Sequence, residues 1–251
     1  MKMKSNSSVS TSYFFFLITI LFLSVNFLSI AKTNPDKLAE KARNIIDRYY
    51  YADDFHVNVD NNDVLTIDGT VNTLYDKLRV RELLSRIPGL KQINSKIEVN
   101  PSMLPDKEIE MNIRDELGYN KSILEPENIK INVKDGVVTL SGTVSHYREK
   151  LMAQSIASWQ DGVKDMISNI KVLSPAAAKS DANIYDIVND VLKDHFPLEK
   201  NVVADVNDGI VTVSGSVRNL WAKEHITDEL LQIAGVNDVN NDLVILPPES
   251  I

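Results

Sequence analysis

The chain contains no cysteine. That absence excludes disulfide staples, thiolate metal sites, a cysteine nucleophile and an acylated lipoprotein N-terminus, while leaving an oxidising compartment open. Basic residues are short as well: 27 Lys and Arg stand against 35 Asp and Glu, a net charge of −8. Nucleic-acid affinity comes from neutralising phosphates with Lys and Arg, so no nucleic-acid partner is expected. Histidine is scarce, and His56, His146, His195 and His225 are not spaced as metal ligands, so solvated or satisfied core histidines are the default. No nucleophile elbow, Ser-Lys pair or phosphate loop occurs. The sequence therefore offers no catalytic residues, no metal ligands and no cofactor site, and predicts a protein that is not an enzyme.

Long apolar runs are missing except at the start. Residues 13–30 are almost wholly apolar, follow Lys2 and Lys4, and end in Ser29-Ile30-Ala31, small residues at the two positions a signal peptidase reads. Residues 1–31 are expected to be a signal peptide cleaved near Ala31. The alternative is an uncleaved inner-membrane anchor, because 18 residues is at the lower edge of what spans a bilayer. Cleavage removes two lysines and no acid, so the net charge moves from −8 to −10.

What the remainder does have is a repeat. Residues 131–144 read as an apolar alternation, Asp135-Gly136, then a second alternation running through Gly142, which is a strong hairpin signal. The same pattern occupies residues 57–71 and 202–217. Gly69, Gly142 and Gly215 are 73 residues apart, and Gly89, Gly162 and Gly235 keep the same interval.

Each repeat predicts helix, strand, strand, helix, strand. Unit 1 spans 36–100. Its first helix carries Leu38, Ala42, Ile45, Ile46 and Tyr49 at helical spacing behind an Asn34-Pro35 cap, and its hairpin turn is one residue longer and lacks glycine. Pro101 and Pro105 bound a linker to unit 2, 107–173, whose first helix is expected to end at Gly118. Residues 174–180 form the second linker, and unit 3 spans 181–246. Two helices over a three-stranded mixed sheet make each unit α+β, giving three tandem αββαβ domains. A right-handed crossover through the second helix sets the third strand parallel to the second. Units this small bury thin cores and gain from leaning on one another.

The order of elements and the pattern Asp135-Gly136, Val138-x-Leu140-x-Gly142-x-Val144, then Gly162-Val163, resemble the BON domain. Unit 3 repeats it with Asp208-Gly209, Gly215 and Gly235-Val236, whereas unit 1 departs from it at the hairpin and has Leu90 after Gly89. The resemblance implies a periplasmic protein of the tandem, osmotically inducible kind in a Gram-negative envelope, associated with phospholipid binding and envelope maintenance. It carries no catalytic residues.

Membrane contact needs exposed aromatic or aliphatic groups beside basic ones. Lys77, Arg79, Arg81 and Arg86 give the second helix of unit 1 a basic density the later units lack, and Tyr147 and Trp221 stand at the entry to a second helix. These six are the lipid-contact candidates, for anionic headgroups. The two glycine columns are structural candidates: Gly69, Gly142 and Gly215 are explained by close helix-to-sheet approach or a bulge, and Gly89, Gly162 and Gly235 stand between the second helix and the third strand. The second strands share a small polar face: Thr66, Asp68 and Thr70; Thr139, Ser141 and Thr143; Thr212, Ser214 and Ser216. That face either meets water or docks on another unit's helices, and the docking alternative suits an interaction or chaperone-like module for envelope proteins.

Overall fold

Asn34 and Pro35 open the first helix as their residue types dictate. The Asn34 side chain accepts the N–H groups of Asp36 (3.0 Å) and Lys37 (3.4 Å), and proline supplies a first-turn φ with no N–H left over. The computed structural model describes residues 34–50, 54–173 and 180–247. The expected signal peptide lies outside them. Among the described residues no helix is long and apolar enough to cross a membrane.

Helix α1 (Pro35–Tyr49) is followed by β1 (Phe55–Val59), β2 (Val64–Val71), α2 (Leu74–Ser85) and β3 (Gln92–Val99). Unit 2 repeats the order with α3 (Asp106–Tyr119), β4 (Ile129–Lys134), β5 (Val137–Val144), α4 (Tyr147–Trp159) and β6 (Asp165–Val172). Unit 3 has α5 (Asp181–His195), β7 (Asn201–Asn207), β8 (Ile210–Val217), α6 (Leu220–Leu230) and β9 (Asp238–Ile245). The hairpin strand β2, β5 or β8 is central in each sheet, antiparallel to the strand before it and parallel to the strand after it. This is the α+β arrangement predicted from the repeat.

The hairpin turns show why unit 1 reads differently. Asp135 (φ 53°) and Gly136 (φ 79°) both take positive φ, the two-residue turn whose twist matches the strands. Asp106, in the first turn of α3, accepts their N–H groups at 2.8 and 3.0 Å, and Asp181 of α5 does the same for Asp208 and Gly209 at 2.9 and 3.0 Å. Helix and hairpin are thus tied by one carboxylate. Unit 1 closes its longer turn internally. Asp60 accepts the N–H groups of Asn62 and Val64, which hold its carboxyl below the usual range, and Asp63 takes the left-handed position at φ 64° with Lys91 at 2.9 Å from its carboxylate.

Two local expectations are corrected. Tyr49 is 58% exposed, because the helix ends there and Tyr50 turns inward instead, edge-on to Phe55 at 5.9 Å. Gly118 does not end α3: the helix runs to Tyr119, with open space where a Gly118 side chain would stand, and Asn120 closes it by donating its N–H to the Glu116 carbonyl.

Each unit has its own apolar cluster between helices and sheet, with Leu65, Ile67, Leu84 and Ile97 in the first, Ile113, Leu140 and Ile156 in the second, and Val188, Val213 and Ile226 in the third. Burying one such side chain contributes about 1.5–3 kcal/mol. The clusters are not closed at unit boundaries. Leu74 belongs to the core of unit 2, and Leu220 to the core of unit 1.

Candidate functional site

The boundary residues follow the 73-residue register. Leu74, Tyr147 and Leu220 are the first residues of α2, α4 and α6, and each reaches into the next unit in cyclic order. Leu74 enters the core of unit 2, the Tyr147 hydroxyl donates to Asp228 of unit 3 at 2.9 Å, and Leu220 returns to the core of unit 1. Two of the three third-strand ends obey the same rule: Val99 packs against the cores of both units 1 and 2, and Ile245 against those of units 3 and 1, whereas their counterpart Val172 packs against the core of unit 2. The three second helices therefore face one another, and the units close into a ring with pseudo-threefold contacts. Units join helix to helix, so the polar faces of the central strands do not dock; they point outward beside exposed Asn58, Asn94, Lys130 and Asn169.

The three seams differ in detail. At the seam from unit 1 to unit 2, Tyr75 meets Trp159 edge-on, centroids 6.1 Å apart. At the seam from unit 3 to unit 1, the same two columns hold Trp221 and Arg86, with the guanidinium 4.3 Å from the ring centroid. There Arg81 also forms a two-pronged ion pair with Glu224 at 2.6 and 2.9 Å, Asn219 donates to the Arg86 carbonyl at 3.2 Å, and the Gly89 N–H donates to the Arg218 carbonyl at 3.3 Å. Trp221 is sandwiched further by Phe196 and His225. Burial pushes the His225 pKa down, against the opposing pull of Asp228, Glu82 and Glu229.

These contacts say where the lipid-contact candidates stand. Arg79 pairs with Glu82 at 2.6 Å, Arg86 pairs with the same carboxylate at 3.0 Å, and Arg81 is spent on Glu224. Tyr147 and Trp221 are half-buried seam residues. Lys77 has no ion pair among the described residues. The basic density of α2 is thus largely matched by acids, and two of its arginines hold a neighbouring unit. Sequence reasoning missed Tyr75 and Leu78, which lie one turn apart on α2 and are 42% and 45% exposed; with Trp159 at 51% they make a continuous aliphatic and aromatic patch. Leu78 falls off the stripe of Val80, Leu84 and Ile87, the available sign that it faces outward.

In the first glycine column the close approach lies within the hairpin. At Gly142 and Gly215, φ is 117° and 113°, and a side chain would run into the carbonyl oxygens of Asn128 and Asn201 at the start of the paired strand. The close approach is strand to strand within the hairpin, and no helix is involved. Gly69 meets the Asp54 carbonyl in the same way, at 2.6 Å for an added Cβ. In the second column Gly162 backs onto Ile109 of α3, while Gly89 and Gly235 lie at seams.

No cluster of three or more potential metal ligands occurs among the described residues. The family model that matches is the BON domain, at residues 34–101, 105–174 and 180–247. The chain belongs to the BON domain family. No curated protein matches it. Among solved structures, the C-terminal domain of CdsD, a structural protein of the type III secretion system of Chlamydia trachomatis, is 16% identical; the match covers 86% of this chain and 100% of that one at a TM-score of 0.24. The periplasmic domain of the type III secretion inner-membrane protein PrgH from S. typhimurium is 13% identical, covering 76% of this chain and 99% of that one at a TM-score of 0.20. At those scores neither likeness describes how the three BON units are arranged here.

Proposed function

We propose that this is an exported, non-enzymatic periplasmic protein whose three BON units form one platform that rests on phospholipid surfaces and maintains the envelope under osmotic stress. The observation that supports the reading is the exposed patch of Tyr75, Leu78 and Trp159 at the first seam. Amphipathic rings suit the boundary between headgroups and acyl chains, and a patch held by two helices pays little ordering entropy on contact. Lys77, on the same helix and without an ion pair among the described residues, supplies a cation near the patch. The leader predicted for residues 1–31 and the family membership fit the same compartment.

Flotation of the mature chain with vesicles of phosphatidylglycerol and phosphatidylethanolamine, at graded salt, tests the reading. Wild-type protein should float at low salt, and Tyr75→Ser with Leu78→Ser and Trp159→Ser should stay at the bottom while keeping its circular dichroism. No flotation of wild-type protein at any salt sinks the membrane reading.

A second reading, a module that holds envelope proteins, is favoured by Ile167, Val203 and Val244, which stand 52–61% exposed on strands at open sheet edges. An extended segment adding to such an edge would use them as side-chain contacts. This reading predicts that lysines at Ile167 and Val203 abolish capture of defined periplasmic partners and leave flotation untouched.

A further inference from the structure

The repeat makes three seams from the same columns, and the seam between units 2 and 3 holds an open cleft with no Asp or Glu in its lining. Between units 2 and 3 a cleft of about 460 Å³ opens between the start of α4 with the end of β6 on one side and residues 231–237 on the other. Its lining includes Lys150, Lys171, His146 and Tyr147, the apolar Ile170, Val172 and Ile233, and no Asp or Glu. Neither Lys150 nor Lys171 has a carboxylate partner among the described residues. Lys150 stands 5.8 Å from the centroid of the Tyr147 ring, and what sets the two ammonium groups apart is that they share one concavity whose lining holds no carboxylate.

Comparison of columns sharpens the point. At the first seam the counterparts of Lys171 and Ala234 are Glu98 and Asp161, so that seam carries acids where this one carries a cation and a methyl group. At the third seam they are Val244 and Pro88, and the space is crossed by the Asn219 and Gly89 hydrogen bonds. At the second seam the columns that hold Tyr75 with Trp159, and Trp221 with Arg86, hold Arg148 and Gln232, and Gln232 turns its amide back to the Asp228 carbonyl of its own unit at 3.2 Å.

We infer that the cleft between units 2 and 3 is a binding site for a phosphate mono- or diester, whose oxygens take Lys150 and Lys171 and whose organic arm lies on the half-buried Val172 and Leu231. Ammonium groups donate charge-assisted hydrogen bonds to phosphate oxygens, and the size of the cleft is in the range of small-molecule sites. The source of that phosphate, a lipid headgroup or a free phosphate, rests on the phospholipid reading above; the anion chemistry rests on the cleft alone.

The test uses the mature full chain and three probes in titration calorimetry: inorganic phosphate, dihexanoylphosphatidylglycerol below its micelle concentration, and, by flotation, phosphatidylglycerol vesicles. Lys150→Gln with Lys171→Gln should weaken binding of the short-chain lipid by about tenfold per lysine, as loss of a charge-assisted hydrogen bond implies. Ala234→Asp, which copies the acid of the first seam onto an exposed position, should weaken it without altering either lysine. Equal binding of inorganic phosphate and short-chain lipid, both lost in the variants, supports the site and assigns free phosphate to it. Short-chain binding lost in the variants with no flotation of wild-type protein supports the site and removes the surface reading. Unchanged binding in both variants, or no binding of either small probe by wild-type protein that still floats, overturns the cleft and leaves the surface reading standing.

Discussion

The seam from unit 3 to unit 1 and the seam from unit 2 to unit 3 are made from the same positions of the same repeat, yet one is locked and the other is open. At the first of these, Leu220 is 9% exposed inside a foreign core, Trp221 is covered by Arg86, and Arg81 grips Glu224. At the second, Tyr147 stands in the leucine position and reaches its neighbour through one hydrogen bond, leaving a cleft. A leucine in that column buys apolar burial; a tyrosine exchanges part of it for a polar handle and room. The ion pair contributes less than its geometry suggests, because both partners are about one-third exposed and such pairs are worth about 0–1 kcal/mol. What separates the seams is therefore the packed leucine and the ring contacts.

The largest effect should come from Leu220→Ala, which opens a void in the core of unit 1 and is expected to lower stability by about 2–4 kcal/mol in urea denaturation. If it costs no more than Tyr147→Phe, the ranking of the two seams is wrong. Tyr147→Phe removes only the bond to Asp228 and should cost about 1–1.5 kcal/mol. It carries a pH signature as well. Burial first, and Asp228 second, push the Tyr147 pKa far above its ordinary 10.0. The neutral phenol is favoured in the folded state, so this contribution is complete below pH 10 and is lost as pH rises toward the folded value. Ultraviolet titration of tyrosinate beside a stability series above pH 10 checks it, with Tyr50, pushed up to about 12, as a second titrating ring that Tyr147→Phe leaves in place.

A smaller change tests the comparison in the other direction. Arg148→Tyr with Gln232→Trp copies the Tyr75 and Trp159 pair into the open seam, and should raise stability by about 0.5–1 kcal/mol while narrowing the cleft. The smallest expected effect is acid-dependent and belongs to the locked seam. His225, with its pKa lowered chiefly by burial, is favoured neutral, so its contribution is present above pH 6.5 and is lost as pH falls toward the folded value. His225→Asn should flatten the slope of the urea midpoint below pH 6.5; an unchanged slope would assign it to other groups.

The hairpins and helices were legible because their signals are local. Asp135-Gly136 encodes a turn, Leu140 and Gly142 share a strand face, and Ile184, Val188 and Leu192 recur at the helical period. Tyr49 and Gly118 were misplaced because position on a stripe does not say where a helix runs past its sheet. The seams were not legible in that way. Leu74 and Leu220 look like ordinary first residues of a helix, and only the 73-residue register, applied to Leu74, Tyr147 and Leu220 together, marks them as one position with one task. Arg81 and Glu224 are 143 positions apart, and no local pattern links them. The basic density on α2 was visible, but its partners Glu82 and Glu224 turn a surface reading into an architectural one.

The head-to-tail reach of Leu74, Tyr147 and Leu220 has a consequence for how many copies this design tolerates. A contact between two different surfaces either closes on itself or propagates. Three units on one chain close, so Leu74, Tyr147 and Leu220 each meet a socket on the same chain. A chain cut to two units would end with Tyr147 unmatched at one terminus and the socket of Leu220 vacant at the other. Those are the two halves of a heterologous contact, so a two-unit chain is expected to associate end to end in a concentration-dependent way, which sedimentation of the truncated chain beside the full one checks.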